Sequence, residues 1–190
     1  MLWRLLLYNG CMRPIDIDVA LVRGIFDETI RLFLKNDTKL IKTQTNERTY
    51  CGRMSTYMQN IAQECGLEGY FADVEYNRNM GRIKQTIQPD GSIQSINCDL
   101  LLHSRGIKPR DNLIAVEVKK KGANDEAMKD DRKRLQALTK RCDSDNNPSP
   151  TYVCGYLLGI FVIVESRECK CHCEFYENGE KTGECTYPEG

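Results

Sequence analysis

The run Asn112-Leu-Ile-Ala-Val-Glu-Val-Lys-Lys-Lys121 places a carboxylate and an ammonium inside what otherwise reads as a buried β-strand. Leu113, Ile114, Ala115, Val116 and Val118 make an apolar, β-branched-rich run, the pattern of a strand covered on both faces. Side chains alternate across a strand, so Glu117 and Lys119 point to the same side. Burying ionised groups is costly unless they are paired or bind a metal. Either the pair serves a site, or the strand frays into solvent at Val118 and Lys119 to Lys121 form its solvated end.

A second acid bears on that choice. Ser95-Ile-Asn-Cys-Asp-Leu-Leu-Leu-His103 is another short apolar run, with Asp99 at its centre. The stretch 104–111, with Gly106, Pro109 and Asp111, reads as a loop. Strands joined by so short a loop are most simply antiparallel neighbours. Asp99 and Glu117 would then lie side by side, with Lys119 one step further along. Two carboxylates at that distance raise each other's pKa unless a cation sits between them. Hard oxygen donors suit Mg²⁺, which binds through one or two carboxylates, waters and substrate phosphate.

The Asp…Glu-x-Lys constellation resembles the signature of the PD-(D/E)xK nuclease superfamily. Asp99 stands at the first acid of the motif and Glu117-Val118-Lys119 at its (D/E)xK, while Cys98 replaces the proline that precedes the aspartate in the family pattern. Glu47 fits the glutamate that the family carries on the helix before its first core strand. The resemblance covers residues 46–164. It implies a restriction-endonuclease-like α/β fold, with a mixed central sheet flanked by helices in the core order α-β-β-β-α-β. Residues 1–45 would add an N-terminal helical extension and 165–190 a C-terminal β-hairpin, all within one domain. The resemblance further implies Mg²⁺, or Mn²⁺ in its place, bound by Asp99, Glu117 and the carbonyl of Val118. Lys119 would orient and deprotonate the attacking water, and Glu47 would complete the metal environment. The implied activity is hydrolysis of phosphodiester bonds in nucleic acid, DNA rather than RNA, and many members act as dimers. The alternative is a nuclease-fold domain without turnover that binds nucleic acid or a protein partner.

Length and composition limit the classes. A chain of 190 residues holds one well-formed core, and 41% hydrophobic with 28% charged residues excludes a disordered chain. The longest apolar stretch, Val153 to Val164, is interrupted by Gly155 and Gly159, so no membrane span is expected. Leu5-Leu6-Leu7 is too short for a signal-peptide core, which points to a cytoplasmic protein. The ten cysteines then read as reduced thiols, with Cys51, Cys65, Cys98 and Cys154 each inside an apolar pattern. Net charge is zero, but its distribution is uneven. Residues 101–141 hold 12 Lys and Arg against 6 Asp and Glu, so positive charge surrounds the motif where phosphate would approach. The other reading of that excess is a charged surface helix beside the motif.

The remaining segments supply a frame. Apolar spacing predicts a helix from Ile15 to Asn36, capped by Asp16 or Asp18, then a polar connector from Asp37 to Thr45. A second amphipathic helix runs from Asn46 to Cys65, with Glu47 in its first turn, where an acid also suits the helix dipole. Gly69 to Arg78 reads as the first core strand, with Glu75 a reserve candidate for the site. The segment from Asn77 to Gly91 mixes turn residues with Arg78, Arg82 and Lys84, which, with Lys120 and Lys121, are the candidate phosphate contacts. A charged helix from Asn124 to Cys142 and an apolar strand ending at Val164 complete the order helix, three strands, helix, strand. Cys169, Cys171, Cys173 and Phe175 alternate with polar residues as in a strand, and Asn178-Gly179 suits a hairpin turn. That spacing departs from the paired Cys-x₂₋₄-Cys of structural zinc sites, so a thiol-lined apolar face is expected there ahead of a zinc module.

Overall fold

The structure is a computed structural model that describes residues 15–76, 97–141 and 154–188, together with the backbone of four short strand segments between 78 and 95. Three helices come first: α1 (Val19–Asn36), the short α2 (Thr38–Lys42) and α3 (Glu47–Glu64). Strand β1 (Phe71–Val74) follows. Two small antiparallel ribbons come next, β2 (Arg78–Asn79) with β3 (Arg82–Ile83) and β4 (Gln85–Ile87) with β5 (Ile93–Ser95). Then come β6 (Leu100–His103), β7 (Asn112–Lys120), α4 (Asp125–Thr139), β8 (Leu158–Glu165), β9 (Lys170–Glu177) and β10 (Glu180–Tyr187).

Six strands form one mixed sheet in the order β1-β6-β7-β8-β9-β10. The β6·β7 pair is antiparallel, as the short loop requires, with Leu100 opposite Val116. The β7·β8 pair is parallel, with Glu117 beside Phe161 and Lys119 beside Ile163. A parallel pair needs a long crossover, and α4 supplies it. The C-terminal hairpin is not a separate unit, because β9 pairs with β8 from Gly159 to Glu165 and extends the sheet.

The β7 register sorts its side chains onto two faces. Leu100, Leu102, Ile114, Val116 and Val118 face α1 and α3, which bury Phe26, Phe33, Tyr50, Met54 and Met58 against them. Leu101, Ala115 and Phe161 face α4 and pack on Leu135 and Leu138. Glu117 and Lys119 share the parity of Ala115, so they point toward α4. Gly159 allows that helix to come close, since a Cβ there would meet Thr139 Cγ2 at 2.9 Å.

Several expectations need correction. The connector from Asp37 to Thr45 contains α2, which Lys39-Leu40-Ile41 supports by burying Ile41 completely. The first helix starts at Val19, where Asp18 accepts a hydrogen bond from the Leu21 amide (2.8 Å) and closes the N-terminus. Asp99 lies just before β6 rather than in mid-strand. Cys154 is disulfide-bonded, against the all-thiol expectation, and its partner lies outside the described residues. Cys51, Cys65, Cys98, Cys169, Cys171, Cys173 and Cys185 are free thiols, and Cys171 and Cys173 are buried in the core that α1 covers. Among the described residues no helix is long and apolar enough to cross a membrane.

Candidate functional site

Ladder pairing between β6 and β7 ends at Leu100 and Val116, so the next residue on each, Asp99 and Glu117, stands at the point where the strands part. The Val118 amide, beyond the ladder, donates to Asp99 Oδ2 at 2.8 Å. The Asp99 and Glu117 carboxyls are close enough to interact electrostatically, Asp99 adding to the rise in the Glu117 pKa. The two acids are therefore neighbours on one face. Lys119 Nζ lies 3.9 Å from Asp99 and 3.4 Å from the Val118 carbonyl oxygen.

Glu47 enters from the other layer. The first turn of α3 reaches the open end of β7, where Glu47 Oε1 accepts a hydrogen bond from the Lys120 amide at 3.0 Å. Its other oxygen lies 3.9 Å from Lys119 Nζ. Asn46 frees Glu47 for this task by capping α3 itself, accepting from the Thr49 amide at 2.8 Å. Glu47, Asp99, Glu117 and Lys119 thus converge, with the Val118 carbonyl beside them.

Two residues of this cluster were not anticipated from the sequence. Asp131 and Arg134 of α4 face the sheet, with Asp131 Oδ2 2.9 Å from Lys119 Nζ and Asp131 Oδ1 accepting from Arg134 Nη1 at 3.1 Å. The same Arg134 nitrogen donates to Glu117 Oε1 at 2.5 Å. Asp131 Oδ2 and Arg134 Nε are buried and lack a hydrogen bond of good geometry among the described residues. A signal was available. Asp131 falls on the stripe of Met128, Leu135 and Leu138, so a carboxylate sits where the helix should bury an apolar side chain.

Burial dominates the electrostatics. Glu117 is 1% exposed. Loss of water raises its pKa from 4.5 to about 8, with Arg134 opposing the rise and Asp99 adding to it. Burial also raises Asp99, against the Val118 amide and Lys119. Burial alone would lower Lys119, but Asp131, Asp99 and Glu47 more than compensate and keep it charged. Four carboxylates face two cations, an excess of two negative charges when all are ionised. A divalent cation would neutralise that excess, and the donors are all hard oxygens, which suits Mg²⁺ or Mn²⁺.

The other candidates fall elsewhere. Glu75 is held in a two-point pair by Arg48 (2.6 and 2.8 Å) and does not join the cluster. Lys120 and Lys121 flank the cluster at the end of β7, and Lys121 pairs with Glu165 at 2.6 Å. The side chains of Arg78 and Arg82, and Lys84 entirely, lie outside the described residues. On the C-terminal strands, His172, Glu174 and Glu184 bring ligand atoms within 4.8 Å of one another. Arg132 and Tyr176 already engage Glu174, and Lys181 engages Glu184 at 2.6 Å, so this second cluster is ion-paired without a metal.

No protein-family model, no curated protein and no solved structure matches this chain at a significant level.

Proposed function

We propose that the chain is a Mg²⁺-dependent nuclease of the PD-(D/E)xK superfamily, with a restriction-endonuclease-like core, that hydrolyses phosphodiester bonds in DNA. The observation that supports it is the convergence of Asp99, Glu117 and Lys119 on one face where β6 and β7 part. The element sequence α3, β1, β6, β7, α4, β8 agrees with the implied core order, with β2 to β5 inserted after β1.

Asp99, Glu117 and the Val118 carbonyl would hold the metal, with Glu47 at its border. When bound, the metal supplies Lewis-acid polarisation of the phosphate and a water of lowered pKa. Lys119 would orient the attacking water and offset the negative charge that grows on the phosphate. Asp131 holds Lys119 charged and in place. Arg134 keeps Glu117 aimed and partly neutralised before the metal arrives.

Plasmid DNA incubated with Mg²⁺ or Mn²⁺ tests the reading. The wild type should nick or linearise it, D99A should lose both metal binding and cleavage, and K119A should lose cleavage while still binding metal. Cleavage by K119A at the wild-type rate would remove the role given to that lysine. A second reading, a nuclease fold without turnover, draws on Arg134 standing against Glu117, where a cation is already in contact with the buried acid. It predicts nucleic-acid binding with intact plasmid under every metal.

A further inference from the structure

Beyond the acid cluster, β7 and β8 end side by side. They are the one parallel pair among the described strands. Space outside the carboxyl ends of parallel strands is where α/β sheets receive ligands. An open groove of about 530 Å³ lies there. The turn after β7 and the turn after β8, carrying Arg167, form its walls, and Gln44 and Glu47 close one end. Glu47 therefore belongs both to this groove and to the acid cluster.

Its chemistry favours an anion. Lys121 is paired with Glu165, but Lys120 and Arg167 make no ion pair among the described residues. Helix α3 starts at Glu47, so its positive end borders the same space. Gly122, at φ 91°, leaves its backbone bare, and a Cβ there would meet nothing within 4 Å. A volume of a few hundred Å³ takes one nucleotide-sized group, not the width of a double helix.

We propose that this groove is a phosphate subsite that seats one nucleotide of a single nucleic-acid strand beside the acid cluster, with its phosphate between Lys120 and Arg167. The identity of the strand rests on the nuclease reading; the groove and its charge do not. Arg167 is exposed and packs in no core, so replacing it leaves the fold intact.

The test is fluorescence anisotropy with a labelled single-stranded DNA oligonucleotide and with its duplex, in EDTA and again with Ca²⁺. The full chain should bind the single strand more tightly than the duplex. R167E should weaken single-strand binding by about tenfold or more, and R167Q should lower the slope of log K against log salt by about one, as loss of one phosphate contact requires. R167K should retain most of the affinity, and thermal melts should coincide with the wild type. Unchanged binding by R167E, a preference for duplex, or no binding of either probe by the wild type would overturn the subsite. The two readings fail separately. Plasmid cleavage by the wild type together with Arg167-independent binding removes the groove and leaves the nuclease. Arg167-dependent binding without cleavage keeps the groove and removes the hydrolytic reading.

Discussion

Substituting Glu117 by Gln should stabilise the metal-free protein, and by an amount that depends on pH. In the folded chain burial raises the Glu117 carboxyl from 4.5 to about 8, even with Arg134 against it. The folded value lies above the unfolded one, so the protonated form favours folding, and stability falls as pH rises between those two values. At about 1.4 kcal/mol for each pH unit, the full span amounts to about 5 kcal/mol. Glutamine copies the protonated acid in size and charge and escapes this loss. E117Q and the wild type should therefore differ by about 1 kcal/mol at pH 5, about 3 at pH 7 and nearly 5 at pH 9. For a chain of this length that is roughly 10–20 °C in melting temperature at alkaline pH. Thermal unfolding of both proteins in EDTA across that range measures it. A gap that stays constant with pH, or a wild type that becomes the more stable at pH 9, would refute the reasoning. Mg²⁺ should narrow the gap, because the ion replaces the proton on the wild-type acid.

Other substitutions probe the neighbouring contacts. D131N removes the charge that fixes Lys119 and should lower kcat by about 10- to 100-fold while leaving KM for DNA near its wild-type value; an unchanged kcat would show that Lys119 needs no anchor. R132A strips Glu174, 7% exposed, of its two-point partner and should cost about 3 kcal/mol at neutral pH by denaturant unfolding. Burial pushes the Glu174 carboxyl up, but Arg132 and Tyr176 bring it below its ordinary value, so the stability it contributes is lost as pH falls. The R132A deficit should accordingly shrink in acid, and a deficit that grows there would contradict the pairing.

Much of the sheet could be read from the chain because strand physics left few choices. Leu113 to Val118 has the composition of a doubly covered strand, and its two-residue period puts Glu117 and Lys119 on one side. The short 104–111 loop then required an antiparallel neighbour, which brought Asp99 alongside. Asp131 and Arg134 were harder to see, because α4 is so charged that its acids and bases read as a solvated face. Only the depth at which α4 packs on β7 and β8, permitted by Gly159, turns two of those charges inward. Helix α2 was missed for a different reason. Five residues carry too little apolar period to register, and its helix is held by burial of Ile41 rather than by propensity. The pairing of β9 with β8 is local, an antiparallel hairpin closed by the turn at 166–169 with Glu165 opposite Lys170, and the shortness of that connection is the same signal that the 104–111 loop gave for β6 and β7.

The account turns on whether the Asp99 and Glu117 carboxylates take a divalent ion. Crystals soaked in Mn²⁺ and measured at the manganese absorption edge should show one anomalous peak between those carboxylates and the Val118 carbonyl, about 2.1–2.2 Å from each oxygen, with Arg134 moved off Glu117. An empty cluster with Arg134 still bonded to Glu117, or manganese bound only at His172, Glu174 and Glu184, would contradict it.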